Sequence, residues 1–477
     1  MIKKYFLSVL LTSFIFASCA DKNDTSKTEQ PNIILIMVDD LGWNDVGFNG
    51  NSIIKTPNLD ALAAAGVTFN RFYSASPVCS PTRASVMTGR HPKRTNINNA
   101  NDGHLREGEI TIAEILKKEG YATAHFGKWH LGTLTQQELD ANRGGKPKFA
   151  TDFTIPTMHG YDSFFSTESK VPTYDPLVYP KTFDEGESKQ YGWKAITTDD
   201  SQPYGTSYWI GNEVKETENV SGSDTKIIID RVLPFIEKSS DNKTPFFTTV
   251  WIHTPHLPLV TDSIHRAMYQ NLPLKEQLLF GAITEMDEQI GRLWELLEEK
   301  GLDENTILWF CSDNGPERNT PGSALPFRAR KRSLYEGGVR VPAFVVWKDK
   351  LKANTHTDFP AVTSDYLPTV RDILGLKKSD DRPLDGVSLL PALLEDKTVR
   401  NKSIGFEYQH QLSWVNDTYK LISIDKGATF ELYDLLKDPS EKNNIAAENI
   451  TQVKQLKKEC QQWMASVENS QNGKDYN

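Results

Sequence analysis

Cysteine is scarce in this chain. Four are spread over 477 residues, at 19, 79, 311 and 460, with no framework spacing. That count and spread exclude a fold stapled by disulfides. An excess of positive charge is also missing. The formal net charge is −9, which excludes a general polyanion-binding surface and, with it, nucleic acid as the partner. An anionic substrate must instead be met by a local cluster of cations. Internal repeats are absent. So is an apolar run long enough for a comfortable membrane span, since the one at the N-terminus, "YFLSVLLTSFIFAS", is too short. What remains is an ordinary globular composition, 38% hydrophobic and 25% charged, long enough for one large core and a smaller companion.

Lys3 and Lys4 precede the N-terminal apolar run, which ends in small residues before Cys19. This layout resembles a bacterial lipoprotein signal, with an ordinary secretory signal as the alternative. It implies export to the cell envelope, periplasmic or surface-facing, with a lipid on Cys19 as the membrane contact. "DKNDTSKTEQ" then reads as a polar tether over 20–30.

Further along, "NIILIMV" (32–38) is a continuous apolar run of strand length, as for a strand buried on both faces. "YATAHF" (121–126), "TPFFTTVWI" (244–252), "NTILWF" (305–310) and "VPAFVVW" (341–347) are of the same kind. Helices are expected from Pro57 to Gly66, over 111–120 and over 364–375. Leu279, Ile283, Met286, Ile290, Leu293 and Leu297 form one apolar stripe on a long helix. Strands alternating with helices define an α/β fold: a large, mostly parallel sheet flanked by helices, over about 31–396. Residues 141–222, rich in Gly, Pro, Tyr, Trp and Asp, read as an irregular insertion over the site. Residues 397–477 read as a smaller α+β subdomain with a short antiparallel sheet and a helix near 449–467.

Ligands of such sheets bind beyond the carboxyl ends of the strands, where the polar residues of interest fall. Asp39 and Asp40 follow the first buried strand, and Asp313 and Asn314 follow another. Adjacent carboxylates repel unless a cation joins them, so the two pairs together suit one hard divalent ion, Ca²⁺ or Mg²⁺. Lys128 and His130 in "FGKWHLG", His253 and His256 in "WIHTPHLPL", and Arg328, Arg330, Lys331 and Arg332 in "RARKRSLYEGGVR" lie on the same expected edge. They point to an anion pocket beside the metal. Cys79 sits just before an expected helix, with Pro81 in its first turn and Arg83 nearby. By itself this reads as a low-pKa nucleophilic thiol.

The stretch "CSPTRASVMTGR" (79–90) resembles the Cys-x-Pro-x-Arg … Thr-Gly-Arg signature of type I sulfatases, a branch of the alkaline-phosphatase superfamily. The resemblance extends over about 31–440 through "PNIILIMVDDLGWNDVG", "TPNLDALAAAGVTF", "GKWHLG", "HTPHLP", "SDNG" and "YEGGVRVP". It implies that Cys79 is oxidised to formylglycine (3-oxoalanine) by a formylglycine-generating or sulfatase-maturating enzyme. It further implies calcium held by Asp39, Asp40, Asp313 and Asn314 with residue 79 facing the ion. Arg83 would hold the hydrated aldehyde, and Lys128 and Lys331 would grip the sulfate oxygens. His256 would protonate the leaving sugar oxygen, and His130 would take a proton as sulfate is expelled. The departures are Asn44, Arg332 and "HLREGEITIAEIL", all outside the sulfate-holding set.

The expected substrate is a sulfated polysaccharide or its oligosaccharides, algal ulvan or carrageenan ahead of glycosaminoglycan. His253, Arg328 and Arg330 are candidate substrate contacts, and Trp193, Tyr204, Tyr208 and Trp209 candidate sugar-stacking platforms. A phosphonate or phosphodiester hydrolase of the same superfamily is the alternative. A non-catalytic glycan-binding lipoprotein has no use for Cys79, Arg83, Lys128, His130, His256 and Lys331 together.

Overall fold

Every residue of the run Asn32–Val38 is buried, and it forms β1, the middle strand of a ten-stranded sheet. Strand alternation sends Ile33, Leu35 and Met37 into one core and Ile34, Ile36 and Val38 into the other. A strand with apolar side chains on both faces is stable only between two helical layers. The computed structural model shows both layers and describes Met1 and residues 30–138, 140, 151–378 and 380–476. The signal-like stretch, Cys19 and most of the tether lie outside the described residues.

The other strands of the sheet are β2 (Val67–Phe69), β3 (Ala122–Lys128), β4 (Ser163–Thr167), β5 (Tyr208–Gly211), β6 (Val214–Glu216), β7 (Phe246–Ile252), β8 (Thr306–Ser312), β9 (Ala343–Val346) and β10 (Thr355–Thr357). Their order is β6-β5-β4-β3-β7-β1-β8-β9-β2-β10. The five strands from β4 to β8 run parallel. Their carboxyl ends therefore share one edge. Helices Pro57–Ala65, Asp224–Asp241 and Leu274–Glu299 pack on one face, the last burying all six residues of its apolar stripe. Helices Cys79–Thr88, Ile112–Lys118 and Tyr366–Ile373 pack on the other.

The apolar run at 341–347 forms a strand as expected, β9, which runs antiparallel to β8. The chain loops over the site edge between them and re-enters from the same end, and such a direct return runs antiparallel. The tract 141–222 is not merely an irregular cover: β4 joins the parallel core, and β5 and β6 make an antiparallel hairpin at its flank. These strands are short, so the turn residues between them dominate the composition.

The C-terminal part is a four-stranded antiparallel sheet over residues 404–434, with the helix Ile450–Gln471 packed on one face through Leu456 and Cys460. Its other face buries Phe406, Val415 and Ile422 against Tyr73, Leu334 and Val339 of the larger part.

Candidate active site

Neighbouring parallel registers put the polar pairs together. Val38 of β1 lies level with Ile252 of β7 and Ser312 of β8, so Asp39, His253 and Asp313 leave the sheet side by side. The Asp40 amide donates to Asp313 Oδ1 at 3.2 Å, and the Asn314 amide to Asp40 Oδ1 at 2.6 Å. Asp40 holds φ at 66°, a left-handed conformation that costs a non-glycine residue about 1–3 kcal/mol and is kept only where neighbours enforce it. In β3, Gly127 has φ 98°, and a Cβ there would meet the Trp251 carbonyl oxygen at 2.0 Å. The glycine permits the close strand contact from which Lys128 emerges.

The helix Cys79–Thr88 is buried at all ten positions. Val78 ahead of it is extended and offers no side-chain cap, so the first-turn amides are not claimed by their own chain's cap. One turn into the helix, Arg83 Nη2 donates to Asp313 Oδ2 at 2.7 Å and Nη1 to the Lys128 carbonyl at 3.2 Å. Its guanidinium also lies over the Trp251 ring, 5.0 Å from the centroid. A fully buried arginine held this way fixes the helix terminus against the carboxylates. The expectation of an acidic Cys79 thiol fails: burial pushes it up to about 12, against the pull of Lys128 and Lys331. As a thiol, residue 79 is a poor nucleophile.

Two lysines neutralise the aspartates. Lys128 Nζ lies 2.5 Å from Asp39 Oδ2, and Lys331 Nζ 2.6 Å from Asp40 Oδ1. Burial works against the Asp39 charge, but Lys128, His256, Arg83 and Lys331 outweigh it and hold the carboxyl well below its usual range. Burial and the Asp39 charge push Asp313 up to about 7, and Asp40 is also raised, burial first. Mutual repulsion among the three carboxylates thus adds to burial in raising Asp40 and Asp313. Asp39 Oδ1 and Asn314 Oδ1 are moreover buried without a hydrogen-bond partner among the described residues. Ligand atoms of Asp39, Asp40, Cys79 and His256 all lie within 4.8 Å of one another. Orphaned oxygens among crowded carboxylates are what a hard divalent cation completes.

His256 sits at the rim, its Nε2 3.6 Å from Asp40 Oδ2 and its Nδ1 donating to the Leu257 carbonyl at 2.6 Å. That second bond leaves Nε2 as the atom facing the site. Burial, then Lys331 and Lys128, hold this ring well below its usual pKa despite Asp39. His130, at φ 55°, places Nε2 2.6 Å from Asn101 Oδ1.

The substrate contacts expected from sequence are not brought to the site. His253 is fully buried, with Nδ1 2.8 Å from Asp224 Oδ2 and Nε2 2.6 Å from Thr167 Oγ1. Both nitrogens are engaged, and the ring ties β7 to β4 rather than facing solvent. Arg328 lies over the Tyr335 ring at 3.8 Å and donates to the Tyr433 hydroxyl at 3.1 Å. Arg330 donates to the carbonyls of Thr320 and Gly322. Both brace the loop that delivers Lys331. Trp193, Tyr204, Tyr208 and Trp209 are all buried, Tyr208 stacked on Phe165 at 4.4 Å. Apolar packing claims their faces, so none is a platform for sugar. Asn101 and Glu317 went unnoticed in the sequence. Glu317 lies 3.5 Å from Lys331 and pairs with Arg332, which holds φ 70°. No motif marks either residue.

Buried cations converging on a carboxylate cluster at a parallel sheet edge suit an anionic substrate. Comparison with known proteins sharpens this. The sulfatase family model matches residues 31–376, and that of the N-sulphoglucosamine sulphohydrolase C-terminal region matches 328–470. N-acetylgalactosamine-6-sulfatase of Mus musculus is 30% identical over 418 residues, covering 81% of this chain and 73% of its own. The solved structure of Ps i-CgsB, also known in complex with k-i-k-neocarrahexaose, superposes with TM-score 0.76 at 26% identity, over 92% of this chain and 93% of that one. Phosphonate monoester hydrolase of Agrobacterium radiobacter shares the fold, with TM-score 0.63 at 19% identity over 93% of this chain and 96% of that one. The chain belongs to the sulfatase family. It is a sulfuric ester hydrolase, of a family that generally uses formylglycine and a divalent metal.

Proposed function

We propose that the chain removes sulfate from a sulfated polysaccharide or its oligosaccharides, with residue 79 as formylglycine and one Ca²⁺ on Asp39, Asp40, Asp313 and Asn314. The observation that carries this reading is the convergence of Cys79, Arg83, Lys128, Lys331 and His256 on one carboxylate cluster. A carrageenan-type oligosaccharide is favoured by the likeness to Ps i-CgsB, known with k-i-k-neocarrahexaose. A glycosaminoglycan follows, from the likeness to N-acetylgalactosamine-6-sulfatase, with ulvan as a further algal substrate to test.

When residue 79 is formylglycine, its hydrate supplies the attacking hydroxyl and a second hydroxyl through which sulfate can leave. The divalent ion, when bound, supplies positive charge against the sulfate oxygens. The rest belongs to the chain. Lys128 and Lys331 present buried ammonium groups to the charge that builds on those oxygens, at no reorganisation cost. Arg83 holds the helix that carries residue 79. His256 Nε2 faces the site and would protonate the departing sugar oxygen once it has taken up a proton: burial first, then Lys331 and Lys128, disfavour the charged ring, and the incoming sulfate charge offsets the lysines. His130, whose Nε2 donates to Asn101 Oδ1, would take a proton at its other ring nitrogen as sulfate leaves.

The signal-like N-terminus supports export to a bacterial envelope with a lipid on Cys19, and Cys79 would then be oxidised by a formylglycine-generating or sulfatase-maturating enzyme. Among the described residues, no helix is long and apolar enough to cross a membrane.

The test is the leaving-group dependence of His256→Ala. Activity should fall about 10²–10⁴-fold on a sugar sulfate, the usual worth of a general acid, and far less on an aryl sulfate whose phenolate leaves unaided. Equal loss on both would remove His256 from that role.

A further inference from the structure

Lys170 is the charged group that the mechanism above leaves unused. It belongs to the segment 167–173, which runs from the carboxyl end of β4 between the two histidine loops. On one side, Ser169 Oγ lies 3.4 Å from Asn101 Oδ1, the atom that also meets His130. On the other, the Thr173 amide reaches the Pro258 carbonyl at 3.4 Å, two residues beyond His256. The backbone between is pinned as well: the His130 amide donates to the Glu168 carbonyl at 2.8 Å, and His253 Nε2 lies 3.0 Å from the Ser169 carbonyl. Lys170 is thus presented by a fixed segment.

Its ammonium has no ion-pair or hydrogen-bond partner among the described residues. That ammonium is not sealed from solvent, so an incoming anion can reach it. The groups it feels are those of the site: Lys128, Lys331, Glu317 and Asp40, and in turn His256. Burial first, and then the like charges of Lys128 and Lys331, push its pKa down, a state that an anion would relieve. Lys128 and Lys331 are buried to 0% and 2% exposure against the aspartates, whereas Lys170 stands further out, partly in solvent. The scissile sulfate therefore has its cations already.

Building on the sulfated-carbohydrate reading, we propose that Lys170 is a specificity-determining residue that binds a second anionic group of the substrate, a uronate carboxylate or a further sulfate near the one removed. The substrate class narrows accordingly to carbohydrates with two negative charges close together.

The experiment compares the full-length protein, Lys170→Gln and Lys170→Arg, each co-produced with a formylglycine-generating enzyme. The substrates are 4-nitrophenyl sulfate and three sets of oligosaccharides: singly sulfated neutral, singly sulfated with an adjacent uronate, and doubly sulfated. Lys170→Gln should raise KM roughly tenfold, as for the loss of one charge-assisted hydrogen bond, on the uronate or the doubly sulfated set, with kcat little changed. Whichever set responds names the second anion. The effect on 4-nitrophenyl sulfate and on the neutral set should be much smaller, and Lys170→Arg should restore KM. Equal losses on all substrates, or no change in KM on either doubly anionic set, would overturn the proposal. A wild-type protein that carries the aldehyde yet releases no sulfate from any substrate would instead overturn the sulfatase reading on which it rests.

Discussion

Two regions of this molecule bury charge, and they do so differently. Where the C-terminal sheet meets the larger part, Asp365, Asp385 and Glu336 are matched, while Glu441 beside Lys420 is pushed up to about 7 by burial. Asp365 receives both arms of Arg400, at 2.6 and 2.7 Å, as well as the amides of Val362 and Val387. Asp385 receives Nε and Nη2 of Arg94, and the Trp463 indole at 2.9 Å. Glu336 receives Lys420, Arg340 and the Tyr73 hydroxyl. At the strand-end edge the carboxylates are crowded instead. Among the described residues, Asp39 and Asn314 each keep a buried oxygen without a partner and Lys170 has no counter-ion, and Asp313 is pushed up to about 7. Satisfied charge holds the two parts together, and unsatisfied charge waits for a ligand.

The contrast can be broken from either side. Cys79→Ala should take sulfate release below detection. It should lower the unfolding free energy in urea titration by no more than about 1 kcal/mol, since only one small buried group is lost. At the matched interface, Arg400→Met leaves Asp365 buried and unpaired, and should cost about 3–5 kcal/mol of stability. The kcat/KM of the folded fraction should be unchanged. A loss of activity without a loss of stability would contradict that division. Between these extremes, chelation should lower both activity and the unfolding midpoint. Calcium restored at a hundred times its Kd should return about 2.7 kcal/mol. An unmoved midpoint would count against the metal site.

The smallest expected effect is one of pH. Burial lowers the His91 pKa from its ordinary value to about 3, and the ring packs edge-on against Trp463 at 4.8 Å. Because the folded pKa lies below the unfolded one, the unfolded chain binds more protons between these values. Stability is therefore full above pH 6.5 and is lost on acidification toward 3. Between pH 6.5 and 5 the His91 share is about 2 kcal/mol at most, and His91→Gln should flatten the profile by that amount. Denaturant midpoints measured over that range check it.

Much of this was legible in the chain, and the failures are instructive. The buried runs at 32–38, 246–252 and 306–312 read clearly because strands covered on both faces need unbroken apolar sequence. From them it followed that Asp39, Asp40, Asp313 and Asn314 meet. What sequence could not convey was where a side chain at such an end points. His253 and His256 are three residues apart, yet one is locked to Asp224 inside the sheet and the other faces the site. The aromatic residues of the insertion looked like a sugar platform because their partners, Phe165 and Val260 among them, lie far away in sequence. Lys170 escaped notice for the complementary reason. A single lysine in a loop has no pattern, and only the fold shows that no described residue pairs with it.

The most direct test is the product released by the purified protein, co-produced with a formylglycine-generating enzyme, from sulfated oligosaccharides and from a matched phosphonate monoester. Peptide mass would establish the aldehyde at position 79. Inorganic sulfate from the oligosaccharides, absent with Cys79→Ala and far in excess of any phosphonate released, is the expected result. Turnover of the phosphonate ester without sulfate release from any oligosaccharide would contradict the account.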